Sequence, residues 1–311
     1  MDTDALRLFV LAADILNISA AGRQLGLAPA VASARLAKLE RTVGADLLHR
    51  STRKVSLSLE GSEFLPYARE ILAQEDAARA ALGMGRPVAS GIVRFAAPST
   101  FAQLYIAPIL PDFLQRHPGV SLDLRLSDAR FDLIEGGFDL ALRNTALEDS
   151  SFKGRKLADD VRILCASPAY LEEHGMPEDP AALCRHRAIA FKDQTPRPLR
   201  AADGRSGEFD PREADCRLIV DDGLSQKLAT LAGAGVSVNA LWCVHREIAD
   251  GSLVRVLPDY IVDDQSVLWL VYPKTNVLSA KVRVLIDYLL EKIGGGSAWE
   301  GSENGRSTTL E

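Results

Sequence analysis

"SAAGRQLGLAPAVASARLAKLE", residues 19–40, reads as a short helix, a tight turn and a second helix. Ser19 is placed to cap the first helix, over about 19–25, with Ala20, Ala21 and Leu25 on its buried side. Gly26 can take the positive φ that ends it. Pro29 suits the first turn of the next helix, where its missing N–H costs nothing. Ala32, Leu36 and Leu39 then form an apolar stripe at spacings of four and three, Val43 continues it and Gly44 stops it. The opposite face holds Pro29, Ala30, Ser33, Ala34 and Ala37, with Arg35 and Lys38 at its edges. A helix-turn-helix points to DNA, yet this face carries methyl groups where Arg, Gln or Asn would pair with base edges. Ser33 can hydrogen-bond a base or phosphate, and Ala methyls can touch a thymine methyl.

The flanks support the DNA reading. "TDALRLFVLAADIL" places Leu6, Phe9, Val10, Ala13 and Leu16 at helical spacing, with Thr3 or Asp4 available as N-cap. "LLHRSTRKVSL" fits a two-stranded wing with a basic tip at Arg50, Ser51, Thr52, Arg53 and Lys54. The whole chain of 311 residues carries a net charge of −6. Residues 1–58 nevertheless hold eight basic and five acidic side chains, a net +3, which leaves −9 for the rest. A basic head on an acidic body fits a DNA-binding module joined to something else.

Composition excludes other classes. At 47% hydrophobic and 25% charged residues the chain is an ordinary globular one, and "SVLWLVY" (266–272) is far too short to cross a membrane. Asp2 and Asp4 argue against a secretory signal, so a cytoplasmic protein is expected. Cys165, Cys184, Cys216 and Cys243 form no C-x-x-C pair, which points to reduced thiols rather than zinc. The five histidines are scattered, "GVSVN" (235–239) is not a G-x-S-x-G elbow, and no triad or dinucleotide fingerprint stands out. No enzyme, cofactor or metal is expected.

A long helix is expected from about Ser58 to Leu82, with Phe64, Leu65, Ala68, Ile71, Leu72 and Ala78 on one face and Pro66 inside it. That face suits a dimer seam, the alternative being a helix packed on its own domain. "GMGRPVASG" (83–91) is a linker by composition. Strands and helices then alternate: "IVRFAA", "SLDLRL", a helix near 128–135, "DLALR", "VRILCA", "AIAF", "RLIV", "GVSVNA", "VLWLVY" and a last helix over 279–293. This predicts an α/β body with mostly parallel sheets, followed by a disordered Gly/Ser-rich tail at 294–311.

The head segment "AAGRQLGLAPAVASARLAKLERTVGADLLHRSTRKVSL" resembles the signature of the LysR-type transcriptional regulators nearly position by position. "DLIEGGFDLALR", "LCASPAYLEEHG", "GSLVRVLP" and "VYPKTNVLSAKVRVLIDYLL" are similar to recurring phrases of that family, in order. The resemblance implies a winged helix-turn-helix (1–58), a linker helix and hinge (59–89), and a two-lobed effector domain (90–293) like periplasmic solute-binding proteins. Lobe I would take 90–162 and 267–293, and lobe II 163–266. It further implies a homodimer or homotetramer on double-stranded operator DNA that responds to a small molecule, with RNA polymerase as a further partner. The chain departs from the family at Ala28 (often a capping Ser or Thr), Ala34 (often polar or basic) and His49 (usually Phe).

For the effector, Ser99, Thr100 and Phe101 fall where family members contact ligands. The residues alone allow a carboxylate site at the helix N-terminus or a plain Ser99 cap. Arg143 ends a strand, where it could pair with an anion or with an Asp. Asn144 stands beside it in place of the family's apolar residue or Gly, and Phe191, Asp222, Asn239 and Trp242 are candidates from the second lobe or its edge. A small organic acid, with an aromatic one as an option, is the expected effector. The rival reading is a solute-binding protein without DNA function.

Overall fold

The computed structural model describes residues 2–50, 55–81, 89–128, 137–144, 152–192, 195–263, 266–274, 278–294 and 299. The head is built from α1 (Thr3–Ile15), α2 (Ile18–Gln24), α3 (Pro29–Val43) and the antiparallel pair β1 (Leu48–Arg50) and β2 (Val55–Leu57). The caps differ from expectation: Asp2, not Thr3 or Asp4, receives the N–H of Asp4, and Asn17, not Ser19, receives that of Ala20. Both act from a residue with extended backbone just outside its helix, where a short side chain reaches back to the first turn. Ala28 makes no side-chain cap bond. Gly26 and Gly44 take positive φ as the turn requires. Leu25 is exposed rather than buried, and Gly22 takes its place inside. A Cβ on Gly22 would lie 2.7 Å from the Ala32 Cβ, so α2 and α3 approach as closely as backbone allows.

The long helix α4 (Leu59–Ala81) runs through Pro66. Leu65, Ala68 and Leu72 are buried in the core of the head, and the Phe64 ring lies tilted with its centroid 5.8 Å from that of Phe9. The face read as a dimer seam is therefore covered over these residues by the chain's own α1, because Phe9 and its neighbours offer apolar surface without a second subunit. Ala78 stays exposed.

The body opens with β3 (Gly91–Ala97), then α5 (Ser99–Phe101), which continues through a π turn (Ala102–Ile106) and a 3-10 turn (Ala107–Ile109) into α6 (Leu110–Arg116). Next come β4 (Val120–Leu126), β5 (Leu140–Arg143), β6 (Phe152–Asp159), β7 (Arg162–Ala166), α7 (Pro168–His174) and β8 (Arg187–Phe191). The hairpin β9 (Arg197–Ala201) and β10 (Ser206–Phe209) precedes β11 (Asp215–Val220), α8 (Gly223–Leu231), β12 (Ser237–Ala240) and α9 (Leu241–Asp250). The chain closes with β13 (Val254–Arg255), β14 (Tyr260–Val262), β15 (Val267–Pro273) and α10 (Ala280–Ile293).

One five-stranded sheet runs β4-β3-β5-β15-β6, and three smaller sheets hold β12-β7-β13, β11-β8 and β10-β9-β14. Among the described residues parallel ladders join only β3 to β4, β3 to β5 and β11 to β8; the others are antiparallel, which corrects the expectation of mostly parallel sheets. In the five-stranded sheet the cause is β15, which returns after the smaller sheets and inserts antiparallel between β5 and β6; in the smaller sheets β9 pairs antiparallel with β10 and β14, and β7 with β12 and β13. Apolar residues of β3, β5 and β15 pack against Leu285, Ile286 and Leu289 of α10.

The expected helix over 128–135 lies, past Asp128, outside the described residues. In the tail expected to be disordered, Trp299 is instead buried, its ring 4.8 Å from Tyr105 and 6.3 Å from Phe101. An indole covers enough apolar surface to offset the ordering of its own residue. Among the described residues no helix is long and apolar enough to cross a membrane.

Candidate functional site

The first candidate surface is the free face of α3. Pro29, Ala30, Val31, Ala34, Lys38 and Arg41 are exposed along it, while Ser33, Arg35 and Ala37 are half-buried. Arg35 leans toward Asp4 at 3.6 Å, so part of its charge is answered within the head. Val31 and Arg41 are missing from the face expected from the sequence, although Val31 stands three residues before Ala34 and Arg41 three after Lys38, on the same helical face. Arg50 closes β1, and Ser51, Thr52 and Arg53 lie outside the described residues.

The wing is fixed to this helix by buried contacts. Glu40 of α3 accepts the N–H groups of Leu47 and Leu48 at 3.1 and 3.3 Å. Ser58 donates its hydroxyl to the carbonyl of Asp46 at 2.5 Å and receives the N–H of Gly61 at 2.8 Å. A Cβ on Gly61 would fall 1.9 Å from the carbonyl oxygen of Leu47, so α4 starts pressed against the base of the wing.

The second candidate is a cavity of about 100 Å³ between the five-stranded sheet and the smaller ones. Pro98, Thr100 and Asn144 follow the ends of β3 and β5, and Phe191 and Ala240 end β8 and β12. Strand ends converge on it, as ligand clefts of α/β folds require. Of the residues singled out in the sequence, Thr100, Asn144, Phe191, Asn239 and Trp242 line it.

The remaining candidates are placed elsewhere. Phe101 is fully buried, its ring 5.0 Å from Tyr105 and 5.1 Å from Trp242, so it backs the cavity wall rather than facing the space. Its helix turn directs Thr100 toward the gap and Phe101 into the core. Ser99 donates both its N–H and its hydroxyl to Asp128, so its polar atoms already serve a carboxylate of the chain itself. The Arg143 guanidinium lies 5.5 Å from the Phe152 ring and is not among the lining groups. Asp222 caps α8 by accepting the N–H of Ser225 at 2.8 Å. Burial works against its ionisation, but these hydrogen bonds outweigh it and hold its carboxyl below the usual value.

Other residues supply most of the cavity's charge. Arg162 and Arg197 line it, as do Asp128 and Gln226. Arg162 is held 3.1 Å from Asp160, whose other oxygen accepts the Trp242 indole N–H at 2.6 Å. The Asp160 side chain is fully buried, so this carboxylate fixes both a cation and an aromatic wall. Asn239 turns its amide nitrogen inward, to Ser237 at 2.7 Å and to the Cys165 sulfur at 3.4 Å. An Arg opening the apolar run "ILCA" was a signal for Arg162; Arg197 starts a strand that periodicity did not reveal. Among the described residues no group of His, Cys, Asp and Glu could hold a metal ion.

The comparisons agree with this two-part layout. The family described as "Bacterial regulatory helix-turn-helix protein, lysR family" matches residues 3–62, and "LysR substrate binding domain" matches residues 87–294. The probable HTH-type transcriptional regulator LtrA of Klebsiella pneumoniae is 32% identical over 93% of this chain and 94% of its own length. DmlR of Escherichia coli, also an HTH-type transcriptional regulator, is 31% identical over 91% of this chain and 92% of its own. The structure of CrgA from Neisseria meningitidis, a LysR-type transcriptional regulator, superposes with a TM-score of 0.60 at 27% identity, over 95% of this chain and 100% of that one. A reading helix with a locked wing, joined to a body that matches an effector-binding domain, places this chain in the LysR family of DNA-binding transcriptional regulators.

Proposed function

We propose that this regulator holds operator DNA on the free face of α3 and a short organic acid in the cavity between its lobes. On this reading residues 1–58 are the DNA-binding head, 59–89 the linker and hinge, and 90–293 the effector domain. Lobe I takes 90–162 and 267–293, and lobe II 163–266. The observation that carries the effector half is Arg162, presented at the cavity wall and oriented by buried Asp160. A planar guanidinium fork matches a carboxylate better than any other side chain does. Arg197 adds a second cation, and Thr195 and Asn144 add polar groups for a hydroxy or keto substituent.

Size narrows the class. The cavity volume of about 100 Å³ is below the roughly 150 Å³ of an engineered cavity that takes up benzene. This favours a compact aliphatic acid over the aromatic option. Exposed Leu104 and Leu114 on one lobe and Leu218, Ile219 and Leu228 on the other fit a homodimer or homotetramer. RNA polymerase is a further partner of the DNA-bound form on this reading.

The test pairs two measurements on the full chain. A mobility-shift assay with the DNA upstream of its own coding region should show a salt-sensitive complex. Calorimetric titration with short carboxylic acids should show binding that their neutral amides lack and that Arg162→Gln abolishes. Equal binding of acid and amide sinks the organic-acid reading. No shift at low salt, with acids present, favours a solute-binding protein instead.

A further inference from the structure

Asp14 lies near the end of α1, in the head, with its side chain only 5% exposed. One oxygen, Oδ1, meets two guanidinium groups from different parts of the chain: Arg69 of α4 at 2.7 Å and Arg94 of β3 at 2.6 Å. Arg69 also donates to the carbonyl of Gly137, just before β5, at 3.3 Å. The Arg94 backbone N–H donates to Asp139 at 2.9 Å, and the same Asp139 oxygen pairs with Lys281 of α10 at 3.3 Å. Lys281 in turn donates to the carbonyl of Ile92. One buried carboxylate of the head is thus tied to the linker helix and, through Arg94, to the frame of the body.

This is not a surface ion pair of small consequence. Burial raises the Asp14 carboxyl above its ordinary value, and the Arg94 guanidinium offsets only part of that rise. Both guanidiniums lie within 2.7 Å of the one carboxylate oxygen, and removing either leaves this nearly buried charge less well compensated. Its place in the fold also matters. Arg94 sits on β3, the strand that leads into Pro98 and Thr100 at the cavity, and Gly137 and Asp139 enter β5, which leads into Asn144 there. The head contact lies at the middle of β3 and just before β5, and the cavity wall lies past the far ends of both strands. At about 3.3 Å per residue, Ala97 lies roughly 10 Å along β3 from Arg94.

We propose that Asp14, Arg69 and Arg94 form a latch that docks the DNA-reading head on its own body in one orientation, on the two strands that end at the cavity. The latch sets how α3 is presented and stands independently of what the cavity binds.

The test is a distance measurement by pulsed electron spin resonance on the full chain. Labels go on Thr42→Cys of the head and Lys153→Cys of the body, in a Cys184→Ser, Cys216→Ser background. Labelled chain is diluted with unlabelled chain so that pairs within one chain dominate. The parent should give one narrow distance distribution. Asp14→Asn, which acts from the head, and Arg94→Gln, which leaves the Asp14–Arg69 pair intact, should both shift it to longer and broader distances. Arg94→Lys should restore a narrow distribution. A parent that is already broad overturns the latch, as does an unchanged distribution in either variant, because the contact needs both partners. Circular dichroism separates a released head from an unfolded one. Neither measurement involves an effector, so failure of the organic-acid reading leaves this test unaffected.

Discussion

The Thr100 hydroxyl accepts the backbone N–H of Leu224 at 2.9 Å, joining the turn after β3 to the start of α8 across the mouth of the cavity. The approach is close, since a Cβ on Gly223 would lie 3.3 Å from the same oxygen. A hydroxyl that the sequence offers to a ligand is thus also a strut between the two sides of the cleft.

Thr100→Val keeps the shape and removes the acceptor. Leu224 then has an N–H without its partner at a part-buried position, which costs about 1–3 kcal/mol. The thermal midpoint of the body should fall by several degrees, read by calorimetry. The stabilisation produced by a bound acid should shrink as well. An unchanged midpoint would show that the strut carries no load.

The head predicts a division between affinity and readout. Lys38 is exposed at the edge of the reading face, so Lys38→Ala should weaken binding to all sequences alike. The slope of log K against log salt should flatten by about 0.9 for the one lost phosphate contact. Ala34 is exposed near the centre, and Ala34→Arg should shift the preferred operator toward guanine. Fluorescence anisotropy over a salt series, on operator and scrambled DNA, reads both. An operator preference unchanged by Ala34→Arg means that this position does not face the bases.

His186 predicts a loss of stability of the body in mild acid. Its ring is buried, and Nδ1 lies 3.2 Å from the Tyr170 hydroxyl, which accepts the Arg187 N–H at 2.8 Å. A neutral imidazole with its proton on Nε2 can accept the hydroxyl proton at Nδ1, and one with its proton on Nδ1 can donate to the hydroxyl oxygen. Burial, followed by the charges of His174 and Arg185, lowers the His186 value from its usual 6.5. A base with a lowered folded value is fully stabilising above 6.5, and that contribution is lost as pH falls below it. Urea unfolding between pH 7 and pH 5 should show a declining midpoint, with a shallower decline in His186→Phe. Identical slopes in the two proteins would exclude His186 as the source.

The cysteines differ in reactivity for the same reason. Burial pushes the Cys165 and Cys243 thiols up to about 12, whereas Cys184 is exposed. At pH 8 a thiol of that strength is ionised in only about one molecule in 10⁴, and the thiolate is the reactive form. Iodoacetamide on the native protein should modify Cys184 well before Cys165 or Cys243, as read by peptide mass spectrometry. Cys243 lines the cavity, so its modification at the rate of Cys184 would reveal a cleft far more open than the one seen here.

Much of the head is legible in the order of residues. Gly26, Pro29, Gly44 and the stripe Ala32, Leu36 and Leu39 act through bonds and contacts within a few positions, so spacing alone discloses the turn, the reading helix and its free face. The strands of the body are legible in the same way wherever apolar residues run or alternate. Their partners are not. Nothing local in "VLWLVY" says that it returns antiparallel between β5 and β6, because sheet neighbours are chosen by surfaces brought together from distant segments. The same limit divides the cavity residues. Thr100 and Asn144 stand at strand ends that the pattern shows, but Arg162 reaches its place in the cavity wall only when Trp242, 80 residues further along the chain, meets the neighbouring Asp160. Asp14 reads as one more solvent-facing acid on an amphipathic helix. Tertiary packing alone puts it between Arg69 and Arg94, because a buried carboxylate is stable only where cations from other elements arrive to pair with it.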